Sequence, residues 1–107
     1  MEKYKFADLP YEAVVPMYLI LDKEVIPQAK FLYAIICLNI VDGYCHSATK
    51  YFRELFSASD SVIFKWLKSL KNQGYIDIMY HRPSGKRFIK VMSKKTNIDT
   101  KNTDDLE

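Results

Sequence analysis

Residues 47–74 read SATKYFRELFSASDSVIFKWLKSLKNQG, and this stretch decides the fold. It divides into two amphipathic segments joined by a polar link. In the first, Tyr51, Phe52, Leu55 and Phe56 supply an apolar face, while Lys50, Arg53 and Glu54 lie on the wet side. Ser47 is a suitable N-cap for it, because a serine hydroxyl accepts from a free N–H of the first helical turn. The link Ser57-Ala58-Ser59-Asp60 is too short and polar for anything but a turn, and Ser59 or Asp60 can cap the next helix. That helix is expected over residues 61–73, with Gly74 as its stop. Ile63, Trp66, Leu67 and Leu70 recur at i, i+3, i+4 and i+7, one buried stripe. Ser61, Phe64, Lys65, Lys68, Lys71 and Asn72 collect on the opposite side, so the exposed face is basic and holds one aromatic.

Working outward, the C-terminal flank YIDIMYHRPSGKRFIKV (residues 75–91) reads as a hairpin. Ile76 and Ile78 alternate on one face, Pro83-Ser84-Gly85 is turn chemistry, and Phe88, Ile89 and Val91 make the return strand. His81, Arg82, Lys86 and Arg87 flank the turn, giving it a basic tip. Beyond Met92 the chain becomes SKKTNIDTKNTDDLE, and residues 93–107 are expected to be a flexible polar tail or the start of a linker. Leu106-Glu107 also matches the two-residue scar that precedes an affinity tag.

On the N-terminal side, PQAKFLYAIICLNIVD (residues 27–42) carries apolar side chains on nearly every face. Pro27 suits the first helical position, where its missing N–H is not needed. A helix apolar all round is covered by its neighbours, so this is the expected scaffold helix, ended by Gly43. Residues 17–21, MYLIL, fit a strand or one helical turn; residues 11–15 fit a short strand that stops at Pro16. Residues 1–10 are a lead-in without pattern.

Composition bounds the class. The 107 residues make one domain, 11–92, long enough to bury a core without staples. One Trp, eight Tyr and six Phe argue against disorder of the whole chain. The net charge of +3 permits a nucleic-acid partner without requiring one. No apolar segment follows the first charges, and the run from Phe31 to Val41 is too short to span a bilayer, so a cytoplasmic protein without a membrane partner is expected. Cys37, Cys45, His46 and His81 lack the paired spacing of a zinc site, so neither metal nor cofactor is expected; Cys37 reads as a small apolar residue in a buried helix position. No nucleophile–base arrangement or glycine-rich phosphate loop can be assembled, so the chain does not read as an enzyme. Trp66, Phe31, Tyr33 and Phe52 fall on apolar stripes and are expected in the core, whereas Tyr75 and Tyr80 fit either core or surface.

The residues YFRELFSASDSVIFKWLKSLKNQGYIDI with the following hairpin, and IPQAKFLYAIICLNIVDGYCHSATKYFREL before them, resemble the winged helix-turn-helix domains at the N-terminus of bacteriophage and plasmid replication proteins. These include replisome organisers and DnaD-like primosome proteins. The resemblance spans residues 11–92 and implies an α+β, mostly α fold: three helices and a C-terminal β-hairpin wing. It implies double-stranded DNA binding by an origin- or operator-binding domain of a replication initiator or regulator, in a bacterial, nucleoid-associated setting. The third helix (about 60–73) would enter the major groove, with Ser59, Ser61, Phe64, Lys65 and Lys68 as its contacts. Lys50 and the wing residues Arg82, Lys86 and Arg87 would meet phosphate. Relatives often carry Arg-Thr where this chain has Ser61-Val62, and a small polar residue where it has Phe64. Phe64 could touch thymine methyls. The same face would equally suit a protein-interaction module, either a homodimer or a complex with a host replication protein.

Overall fold

The computed structural model describes residues 9, 10 and 12–92; the lead-in through residue 8, residue 11 and the tail from residue 93 lie outside the described residues. Within them the chain is a small α+β domain of four helices and one four-stranded antiparallel sheet. Its elements run α1 (Met17–Ile20), α2 (Pro27–Leu38), β1 (Ile40–Val41), β2 (Tyr44–Cys45), α3 (Thr49–Phe56), α4 (Asp60–Asn72), β3 (Ile76–His81) and β4 (Lys86–Val91).

The MYLIL run resolves as a single helical turn, α1, with Leu19 fully buried. A short strand was expected over residues 11–15; residue 11 lies outside the described residues, and residues 12–15 have no regular structure. Pro27 opens α2 as anticipated. This helix buries Ala29, Leu32, Tyr33, Ala34 and Ile36, but it is not covered on all sides. Phe31 is 60% exposed and Cys37 is also exposed, so neither is the core residue that the all-round apolar pattern implied. The buried cysteine is Cys45.

The expected continuation of this helix to Asp42 does not occur. Asn39 is buried and its Nδ2 donates to the Ile35 carbonyl at 2.9 Å, taking up one of the acceptors that a helix end leaves free. The chain then makes a two-residue hairpin, with Ile40 opposite Cys45 and Val41 opposite Tyr44. Both central residues are left-handed, Asp42 at φ 52° and Gly43 at φ 87°, the requirement of a type I′ turn. Gly43 is therefore a hairpin residue and not a helix stop.

The outer half of that hairpin ties the two ends of the domain together. Cys45 of β2 pairs with Ile89 of β4, giving the sheet order β1-β2-β4-β3. Strands β3 and β4 are in full register from Ile76 opposite Val91 to His81 opposite Lys86.

Helix α3 begins at Thr49, preceded by Ala48 without a side-chain cap. Ser47, expected as that cap, is instead buried. Tyr51 and Phe52 point inward, and Ser57 ends the helix at φ 53°, with Ala58 N–H donating to the Arg53 carbonyl. Helix α4 is capped by Ser59, whose Oγ accepts from Val62 N–H at 3.3 Å. Arg53 Nη1 and Asp60 Oδ1, 2.8 Å apart, bridge the two helices. Ile63, Trp66, Leu67 and Leu70 form the buried stripe that the spacing predicts. At the far end Tyr75 N–H donates to the Leu70 carbonyl and Gly74 N–H to the Lys71 carbonyl, a Schellman stop with Gly74 at φ 80°. Tyr75 drops straight from this stop into the core, fully buried.

The core lies between α2, α4 and the inner face of the sheet, with Leu32, Ile36, Phe52, Ile63, Leu70 and Ile89 at zero exposure. Each side chain of this size stabilises the fold by about 1.5–3 kcal/mol on burial. Among the described residues no helix is long and apolar enough to cross a membrane.

Candidate nucleic-acid interface

The outward side of α4 is set by its inward stripe. With Ile63, Trp66 and Leu67 held in the core, Ser61, Phe64, Lys65, Lys68, Lys71 and Asn72 are all exposed. Val62, by contrast, is half-buried and packs against the core. Lys65, Lys68 and Lys71 make no ion pair with any described residue. Ser61 is exposed beside the cap, its Oγ 3.2 Å from that of Ser59. Ser59 itself has its hydroxyl engaged by the helix it caps. Lys50 is exposed on α3.

The loop between β3 and β4 is compact. Gly85 N–H donates to the His81 carbonyl at 2.6 Å, and Gly85 takes φ 70°. Ser84 Oγ accepts from Lys86 N–H at 3.2 Å and lies 2.8 Å from His81 Nδ1. Arg82 and Lys86 project from this loop into solvent.

Arg87 does not follow them. Along β4 it shares a face with Ile89 and Val91, the side turned toward the helices. Its Nη1 donates to Thr49 Oγ1 at 2.8 Å and its Nη2 to the Ser47 carbonyl at 2.9 Å, with the guanidinium carbon 5.8 Å from the Phe52 ring centre. Burial pushes its pKa down. Arg87 thus joins the return strand to the start of α3. Strand alternation, which puts Arg87 in step with Ile89, carried that signal in the sequence.

Between α4, the hairpin and the β2–α3 link runs a groove of about 500 Å³. Phe64 comes to it from α4, Tyr80 from β3, Gly85, Lys86 and Arg87 from the hairpin, and residues 46–49 from the link. Phe64 and Tyr80 are 51% and 65% exposed. His46 packs edge-on against Phe88 at 5.0 Å, which holds the link against the hairpin. Two buried polar atoms of residues near this groove, Ser47 Oγ and Arg87 Nε, have no hydrogen-bond partner among the described residues. Of the residues expected to bind DNA, the fold brings Phe64, Lys86 and Arg87 to this groove, while Lys50, Ser59, Ser61, Lys65, Lys68 and Arg82 do not line it. Tyr80 and the 46–49 link were not foreseen. Tyr80 shares a strand face with Ile76 and Ile78, and that pattern alone suggests core; the strand carries it beyond the core instead.

Among the described residues no three His, Cys, Asp or Glu side chains gather to hold a metal ion. No protein-family model, no curated protein and no solved structure matches the chain.

Proposed function

We propose that this domain is a winged helix-turn-helix that binds double-stranded DNA, with α4 as the recognition helix and the β3–β4 hairpin as the wing. The observation that carries the reading is the placement of charge. Lys65, Lys68 and Lys71, without an ion pair among the described residues, make the exposed face of α4 basic, and Phe64 of the same helix lines a groove with the hairpin's Lys86. Cations so arranged can displace counterions from several phosphates at once, which supplies most of the affinity of such proteins. Ser61, Phe64, Lys65 and Lys68 meet the base edges or their flanking phosphates in this docking; Arg82, Lys86 and Lys50 lie on backbone. Arg87 acts one step back, by holding the wing to α3. The setting that fits best is an origin- or operator-binding domain of a phage- or plasmid-type replication initiator or regulator in the bacterial cytoplasm.

The exposure of Phe64 and Tyr80 favours a second reading, in which the same face docks another protein or a second copy of this chain. One titration separates the two. Fluorescence anisotropy with a labelled duplex should show binding at low salt that weakens steeply toward physiological salt, and Lys65→Gln/Lys68→Gln together should abolish it. Absence of duplex affinity at low salt refutes the DNA reading in favour of a protein partner.

A further inference from the structure

The duplex docking proposed above gives Phe64 and Lys86 a role but none to Tyr80, which lines the same groove. Two of its exposed walls are aromatic, Phe64 and Tyr80. Neither Phe64 nor Tyr80 stacks on another ring among the described residues, whereas His46, Phe88 and Tyr44 form edge-on contacts with one another. Among the described residues no carboxylate lines the groove; the charged side chains that do are Lys86 and Arg87. The link contributes the start of α3, whose N-terminus has no side-chain cap. Exposed aromatic walls and a cationic rim suit a ligand that is aromatic and anionic together.

The geometry points to an unpaired nucleobase as the occupant: the groove accepts a base from single-stranded DNA adjoining the bound duplex, stacked on Phe64 and Tyr80, with its phosphate toward Lys86. Stacking of bases on exposed aromatic side chains in a positive groove is tolerant of sequence, since every base presents a π-face. The inference rests on the duplex reading for the position of the strand, and it makes the domain a reader of duplex–single-strand junctions. The volume lies within the range of about 300–1,000 Å³ typical of ligand pockets, so the groove has room for a base with its sugar.

The experiment compares a blunt duplex with the same duplex carrying a short single-stranded thymidine tail, by anisotropy at one salt concentration. The tailed duplex is expected to bind about tenfold more tightly, the gain from stacking one base. Tyr80→Ala should reduce the tailed duplex to the blunt level, and Tyr80→Trp should restore the preference. As a readout on the unaltered protein, 5-iodouracil in the tail should photocrosslink to Tyr80 or Phe64. Equal affinity for blunt and tailed duplexes, or crosslinking elsewhere, overturns this inference and leaves the duplex reading standing. Binding of neither overturns both. Binding of the tailed form alone, lost in Tyr80→Ala, supports the base site and removes the duplex reading.

Discussion

The guanidinium of Arg87 donates to the hydroxyl of Thr49 at 2.8 Å, so the hairpin's return strand is fastened to the first turn of α3. The second bond, to the Ser47 carbonyl, makes this a two-point attachment across 40 residues of sequence. Arg87→Lys keeps the charge but cannot reproduce a planar fork, and it leaves a partly buried carbonyl and hydroxyl short of donors. The expected loss is about 1–3 kcal/mol of folding stability, read as a lower urea midpoint at unchanged slope. An unchanged midpoint would mean that the attachment contributes nothing to the fold.

The salt dependence of duplex binding should separate the lysines that meet phosphate from those that are merely solvated. If Lys65, Lys68 and Lys86 each neutralise one phosphate, replacing any of them by Gln lowers the slope of log K against log salt by about 0.9. Lys71, one turn further along the same face, serves as the comparison: its removal measures how far the footprint extends toward the end of α4. Slopes that stay constant through all of these substitutions would remove α4 from the interface.

The interior of α4, its cap, its glycine stop and the hairpin after it were legible in the sequence, because each rests on local chemistry. The spacing of Ile63, Trp66, Leu67 and Leu70 admits only one buried side, and Ser59 and Gly74 sit where caps and stops must. The end of α2 was not legible from periodicity. Ile40 and Val41 extend an apolar run that suits either period, and only the Asp42-Gly43 pair signals a hairpin. Phe31 shows a different limit. Apolar residues all round a helix require neighbours all round it, and a domain this small has too few elements to cover the outer side of α2. For the interface, the lysines were readable as a face, but the groove was not. It depends on how far Tyr80 overshoots the core and on Arg87 turning inward, and both follow from the sheet register.

The Asp42-Gly43 turn gives a test of its own. Gly43 sits at φ 87°, and a Cβ there would meet nothing within 4 Å, so Gly43→Ala adds no clash. The cost is conformational alone, about 1–2 kcal/mol for an L-residue in the left-handed region. Because β2 pairs with β4 as well as β1, the loosened turn should also raise amide exchange at Cys45 and Ile89. A loss well above that range would indicate a contact that the geometry does not contain.

Two buried phenols predict how the domain responds to alkali. Tyr75 is fully buried with its hydroxyl donating to Asp22 Oδ2 at 2.7 Å, and its pKa is raised, first by burial and then by that carboxylate. Tyr33, also buried, is raised chiefly by desolvation. Each group holds its proton more tightly folded than unfolded. Their contribution is therefore complete below the unfolded value of about 10 and is lost as pH rises from there toward the folded value. Above pH of about 10, each phenol should steepen the decline in unfolding free energy by about 1.4 kcal/mol per pH unit. Urea titrations between pH 8 and 11.5, a window placed around that unfolded value, provide the measurement. Tyr75→Phe and Tyr33→Phe should each flatten the decline, and Tyr75→Phe should also lower stability at neutral pH, where Asp22 loses its phenolic donor. An identical alkaline slope in the double variant would show that other groups govern the transition.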